Sequence, residues 1–280
     1  MRWPTLAVLV VLAVVAGVGV ATWRGSGPLP DPEGCSATLA GRTVDLSPEQ
    51  ARNATLIAAL GVRRGLPARA VSIALATAYQ ESKIVNIDYG DRDSLGLFQQ
   101  RPSQGWGTRE QILDEYYAID RFYDALEKID GYQTMRITEA AQLVQRSGFP
   151  EAYEDHAADA RALASVLTGY SPGGLFSCVV REPEEPGSVT RTARALQRGF
   201  GPLDAAPIGS RRALDVRVGD DEAGRRLGWA VAQFTTAHAG RLAVSEVTYA
   251  GKRWRPGSDS EDGWTEARSS DPTTVVVRLG

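Results

Sequence analysis

Hydrophobic positions fall into three regimes along the chain. From Trp3 to Trp23, 21 consecutive residues carry no charge, and most are Val, Leu or Ala. At about 1.5 Å per residue a helix of that length spans roughly 30 Å, the thickness of a bilayer core. Arg2 and Arg24 bracket the run, and Trp3 and Trp23 stand where interfacial aromatics lie. The pattern predicts a transmembrane anchor over residues 1–24, single-pass at the cell membrane, with the bulk of the chain extracytoplasmic. A cleaved signal peptide is the competing reading. Its apolar region runs about 7–15 residues and is followed by a small-x-small site, whereas Ala16, Gly17 and Gly19 lie inside the run.

After a Gly/Pro-rich linker at 25–34, helical periodicity takes over. Ser47-Pro48-Glu49-Gln50 reads as an N-cap with Pro at the first helical position, opening a helix near 48–65. A second helix, near 67–82, is apolar on most faces and is therefore buried. Residues 83–108 read as an irregular segment around a short helical turn. Helices follow near 108–129, 137–146 and 155–168. A charged, Pro-containing stretch at 181–188 reads as a second linker. Beyond it the period changes: helices near 189–199 and 221–239 alternate with strands at 213–218, 245–249 and 274–279. The expected fold is thus a mainly α domain over 35–180, followed by a small α+β or α/β domain over 189–280.

Composition narrows the chemistry. The net charge of −3 gives no basic field for a nucleic-acid partner. Two histidines and two cysteines are too few for a zinc site on the common spacings, so no metal or cofactor is implied. Cys35 opens the first folded region and Cys178 closes it, and an oxidising compartment favours a bridge between them. Two unrelated buried thiols are the alternative.

The informative stretch is Ala78-Tyr79-Gln80-Glu81-Ser82, followed by Asp93-Ser94-Leu95-Gly96-Leu97-Phe98-Gln99-Gln100. A carboxylate at the end of a buried apolar helix is rare without a reason. Desolvation there raises the pKa and keeps the group protonated near neutrality, which is what a general acid for glycosidic cleavage requires.

On Gln80-Glu81-Ser82 and Gly96-Leu97-Phe98-Gln99, 18 residues apart from Glu81 to Gln99, residues 48–170 resemble the lytic transglycosylase and goose-type lysozyme group of the lysozyme-like fold. Phe98 replaces that family's Met. The resemblance implies a peptidoglycan glycan strand as partner, with Glu81 as catalytic acid and then base. It implies a substrate-facing role for Ser82, Phe98, Gln99 and Gln100, and a late tyrosine, Tyr153, approaching Glu81. The family's Asn-Ala-Gly element is absent, and Gln145-Arg146-Ser147-Gly148-Phe149-Pro150 stands in its region. Asp88, Asp91 and Asp93 offer either a second carboxylate or turn residues. Trp106, Tyr116 and Tyr117 are further candidates to stack on sugar rings, or core residues.

Two readings compete with catalysis. Glu81 pairs with Arg92 or Arg101 as a structural residue, or the domain keeps the frame as a non-catalytic wall-binding scaffold. The later region, from Arg212 through Trp254, resembles a C-terminal domain of secreted actinobacterial cell-wall proteins. It is also similar to zinc peptidases of D-Ala-D-Ala peptides. However, Ile208 stands where their first His-x6-Asp ligand would be, and Val275–Arg278 contains no histidine. The resemblance implies a binding or spacer role there. Trp229, Trp254 and Trp264 read as core.

Overall fold

Two short strands, β1 (Gly34–Leu39) and β2 (Arg42–Leu46), form a hairpin at the start of the described residues. The computed structural model describes residues 32–209, 212–268 and 271–280. The hairpin leads into α1 (Pro48–Arg63), whose Ser47 cap forms the full capping box with Gln50 and carries Pro at the first turn, as the local sequence dictates. Then come α2 (Ala68–Ser82), the one-turn α3 (Arg109–Ile112) and α4 (Glu115–Leu126). The single helix expected near 108–129 is divided because the Asp114 side chain accepts from the backbone N–H of Tyr116 and Tyr117 and starts a new helix. α5 (Ile137–Gln145) and α6 (Ala157–Leu167) follow, and β3 (Phe176–Val179) then returns to pair with β1.

The second half holds α7 (Val189–Phe200), β4 (Asp204–Pro207), β5 (Ala213–Arg217), α8 (Glu222–Ala237), α9 (Ala239–Leu242), β6 (Val244–Tyr249), β7 (Lys252–Trp254), β8 (Thr265–Glu266) and β9 (Thr274–Leu279). Its sheet is antiparallel throughout, in the order β4-β5-β9-β6-β7-β8. One face, carrying Leu214, Val216, Val247, Trp254, Val275 and Val277, is buried. α8 lies on that sheet and also against α1. Gly228 on α8 leaves room for a strand side chain, because a Cβ there would sit 2.1 Å from the Tyr249 ring.

Three sequence expectations need correction. The first domain is not built from helices alone. It carries its own three-stranded antiparallel sheet, β2-β1-β3, and the described chain as a whole mixes helices with two antiparallel sheets. Strands of four to six residues are too short to impose a clear alternation on the sequence. The predicted transmembrane helix falls on residues 3–23, outside those described. Among the described residues no helix is long and apolar enough to cross a membrane. The longest, α1 and α8, have 16 residues each and reach about 24 Å, and both carry arginines. Single-pass anchoring, and the localisation built on it, is therefore not retained.

Residues 34–280 form one compact unit with a shared apolar core. The indole N–H of Trp254 donates to the Cys178 carbonyl at 3.1 Å, and that of Trp264 to Phe176 at 2.8 Å. Both tie the second half to β3. Trp254 is fully buried, and Trp229 meets Trp264 edge to face at 5.3 Å. Cys35 and Cys178 face each other across the β1–β3 pair and are joined in a disulfide spanning 143 residues. In the chain-entropy account a loop of that size stabilises by about 4–5 kcal/mol. Replacing both cysteines by serine should lower the urea unfolding midpoint accordingly; an unchanged midpoint would show that the bridge contributes little.

His238, at the end of α8, is partly buried. Its ring stacks on Phe234 at 3.9 Å, and Nδ1 donates to the Phe234 carbonyl at 2.8 Å. Burial, opposed by that hydrogen bond and reinforced by Arg52 and Arg241, pushes its pKa down to about 3. The folded state therefore binds fewer protons than the unfolded chain between pH 6.5 and about 3. This stabilisation is full above pH 6.5 and is lost as pH falls, by at most about 5 kcal/mol. His238→Phe should flatten the fall in unfolding free energy between pH 6.5 and pH 4, measured by urea titration at each pH.

Candidate functional site around Glu81

α2 ends one residue after Glu81. Lys83 and Ile84 both adopt left-handed backbone conformations, and the Ile84 N–H returns to the Ala78 carbonyl at 3.0 Å, the hydrogen-bond pattern that closes helix C-termini. The buried Ile84 side chain fixes this end, so Glu81 is held at a defined place rather than on a fraying turn. The Asn53 amide on α1 donates to the Ile84 carbonyl at 2.8 Å, and the Gln50 amide to that of Lys83 at 2.8 Å.

Facing it is the Gly96–Gln99 turn. Leu95 and Gln100 exchange two backbone hydrogen bonds of 2.9 Å across it. Gly96 has φ +74°, and a Cβ there would lie 2.8 Å from the Ile112 carbonyl, so only glycine fits. The turn points its side chains inward: Leu97 and Phe98 are fully buried, and Phe98 stacks on Phe122 at 4.4 Å. Its carbonyls serve as attachment points. The Ser82 hydroxyl donates to Leu97 at 2.8 Å, and the Gln145 amide to Phe98 at 2.7 Å. Helix α2, the turn and α5 are thereby fastened together around Glu81.

The Glu81 carboxyl is half-buried. The hydroxyl of Tyr153, itself fully buried, donates to its Oε1 at 2.7 Å, and the Gln145 side chain lies near enough to the same carboxyl to favour its anion. Burial pushes the pKa of Glu81 above the ordinary carboxyl value, while Tyr153 and Gln145 pull the other way. Burial also drives the Tyr153 hydroxyl well up, helped by the neighbouring carboxylate, so it remains a donor. Among the described residues no cation forms an ion pair with Glu81. Arg101 is engaged by Asp93 at 2.8 Å, and Arg92 lies beside Asp91 at 3.9 Å. Neither clamps Glu81, which removes the basis for reading it as an ion-paired helix end.

The predicted site residues divide sharply. Glu81 and Tyr153 meet as expected. Gln99 lies on the same turn, half-buried, with its amide on the Tyr89 carbonyl at 3.2 Å. Ser82 is buried with both hydrogen bonds internal, to Ala78 and Leu97. Gln100 is buried with its amide on Ala118 at 3.0 Å, and Phe98 is core. These three hold the site together from behind. Asp93 is held far below the carboxylate range by hydrogen bonds from Ser103 and Arg101, so it pins the loop. Tyr116 packs under the Arg198 guanidinium at 3.8 Å, and Tyr117 bonds the Trp106 carbonyl at 3.1 Å.

Two kinds of residue escaped the sequence reading. Gln145 occupies the region where the family's Asn-Ala-Gly was sought, but with a longer amide in a different local sequence. Tyr89 and Phe149, 69% and 77% exposed, are the large aromatics left free near the site: Tyr89 beside Gln99, and Phe149 beside Ser147, which lies near Tyr153. Nothing in their spacing marked them. Among the described residues no group of three or more His, Cys, Asp or Glu could hold a metal ion.

A family model described as VldE, C-terminal domain, matches residues 209–276. That is about a quarter of the chain, and it contains none of the residues around Glu81. No curated protein matches the chain.

Because the Glu81 proton is retained above the ordinary carboxyl range, the folded state binds more protons than the unfolded one in that window. Stability must therefore fall as pH rises through it. Tyr153→Phe removes a bond that favours the anion, so Glu81 should titrate at still higher pH. Carboxyl carbon NMR on labelled glutamate checks both points. An ordinary titration of Glu81 in the wild type would dismiss the dry-carboxyl description.

Proposed function

We propose that the chain cleaves the glycan strands of peptidoglycan, as a lytic transglycosylase or muramidase-like enzyme, with Glu81 as general acid and then base. The reading rests on one observation: a half-buried carboxyl with a raised pKa, bonded by Tyr153 and free of any counter-cation among the described residues. Such a group holds its proton to higher pH than an ordinary carboxyl and can give it to a leaving oxygen in a partly dry site. The resemblance of Gln80-Glu81-Ser82 and Gly96-Leu97-Phe98-Gln99 to lytic transglycosylases supplies the substrate: the β-1,4 link between N-acetylmuramic acid and N-acetylglucosamine.

In this reading Glu81 protonates the glycosidic oxygen as the C1–O bond breaks. The carboxylate then takes the proton from the muramic acid 6-hydroxyl as that oxygen closes on C1, giving the 1,6-anhydro sugar and restoring the acid. No second carboxylate is needed. The engagement of Asp93 by Arg101 and Ser103 favours this route over hydrolysis by a paired base. Tyr153 and Gln145 stabilise the carboxylate after proton transfer.

A non-catalytic glycan-binding role draws on a different observation, the inward commitment of Ser82, Phe98 and Gln100. One experiment separates the two. Purified sacculi are incubated with wild type and with Glu81→Gln, and the soluble products are analysed by mass. Anhydro-muropeptides should be released by the wild type and fall by about 10²–10⁴-fold in the variant. If the wild type releases nothing yet co-sediments with sacculi, the binding role stands instead.

A further inference from the structure

The six-stranded sheet has a second face. Side chains alternate along a strand, and Val247, Trp254, Val275 and Val277 point into the core. Thr248, Arg253, Val276 and Arg278, which alternate with them, therefore lie on the opposite side, where Thr248 pairs in register with both Arg253 and Val276. A cavity of about 470 Å³ opens there, a volume within the range of small-molecule sites. Four arginines line it: Arg253 on β7, Arg255 just after that strand, Arg268 in the segment after β8, and Arg278 on β9.

Two carboxylates share the cavity, Glu246 and Asp271, and both are already engaged. Glu246 has a side chain only 13% exposed, and it accepts from Nε of Arg255 at 2.7 Å and from Nε of Arg278 at 3.0 Å. One carboxylate thus orients two guanidinium groups. Asp271 accepts from the backbone N–H and the hydroxyl of Thr273 at 2.8 and 2.6 Å, which ties it to its own loop. A smaller adjoining cavity holds Asp259, and that carboxylate is 3.9 Å from Nη1 of Arg255. Among the described residues no carboxylate lies within ion-pair distance of Arg253 or Arg268, although Arg253 is half-buried. The cavity therefore holds an excess of positive charge in a chain whose net charge is −3. Guanidinium groups gathered in this way repel one another unless an anion enters.

We propose that this cavity is a binding site for a doubly charged phosphoryl group carried by a small molecule, gripped by Arg253 and Arg268 beside the pair that Glu246 orients. Arginine presents a planar fork of donors that matches phosphate oxygens two at a time. Four guanidinium groups against two carboxylates leave two charges to neutralise, which a phosphomonoester supplies near neutral pH and a single carboxylate or a phosphodiester does not. The Thr248 hydroxyl adds a neutral group to the lining, and Val276 and Ala267 give an apolar surface for the remainder of the ligand. The site lies on the sheet of the second half and makes no use of Glu81.

Calorimetry on the full chain in phosphate-free buffer tests the assignment, with glycerol 3-phosphate, dimethyl phosphate and acetate as probes. Glycerol 3-phosphate should bind saturably and at least about tenfold more tightly than the two singly charged probes. Its affinity should fall as pH drops from about 7.5 to about 5, because the phosphomonoester takes up its second proton near pH 6 while arginine stays charged. Arg253→Gln with Arg268→Gln should weaken that binding by about tenfold or more and leave the thermal midpoint unchanged. Arg191→Gln with Arg194→Gln, both exposed on α7, should leave the binding as it is. Absence of saturable binding, equal affinity for the diester or acetate, or binding that survives the Arg253 and Arg268 substitutions overturns the proposal. The comparison of probes and of pH needs no variant, so it decides the matter even if the double substitution disturbs the fold.

Discussion

A carboxyl group held partly out of water, with no cation to compensate it, is unfavourable as an anion, and the rest of the site is arranged around that constraint at Glu81. The protein does not relieve it with an arginine, although Arg92 and Arg101 are close in sequence. Both have aspartate neighbours instead. What it supplies are neutral donors, Tyr153 and Gln145. Neutral donors stabilise the anion enough for proton release without abolishing the raised pKa, whereas an ion pair would lower it by far more. A group poised in this way can change protonation state during a reaction. The same arrangement makes the site a net stability burden above the raised pKa, the usual position of functional groups relative to fold.

Precision at Glu81 comes from the residues packed behind it. The Gly96–Gln99 turn is stapled at three points: to itself by Leu95 and Gln100, to α2 by Ser82, and to α5 by Gln145. Phe98 and Phe122 fill the space beneath. The motif is then a packing device with one functional side chain, and its carbonyls matter as much as its side chains.

This explains how much could be read from sequence. The helix carrying Glu81 was legible because its apolar content and its Pro67 start leave little choice, and Tyr153 was legible through the family pattern. Ser82, Phe98 and Gln100 were assigned outward because a motif marks residues that cannot change without saying why. At Ser82 and Phe98 the reason is burial, at Gln100 a buried amide on Ala118. Gln145 was illegible because its role depends on where α5 ends in space. The strands β1 to β3 escape notice because alternation over four to six residues is weak beside the helical signal around them, and β3 pairs with β1 across more than 130 positions.

The second half is bound into the same body. Trp254 and Trp264 hydrogen-bond to β3, and α8 packs on α1 as well as on its own sheet. α1 in turn holds the end of α2 through Asn53 and Gln50. The six-stranded sheet therefore supports, through α8 and α1, the helix terminus that positions Glu81. The region matching the VldE C-terminal domain model includes α8, so that stretch does more here than hang beside the first half. Because the core is continuous, cutting the chain near residue 188 would expose the apolar faces of both α1 and the sheet. The Glu81 geometry is a property of the compact unit over residues 34–280 rather than of residues 48–170 alone.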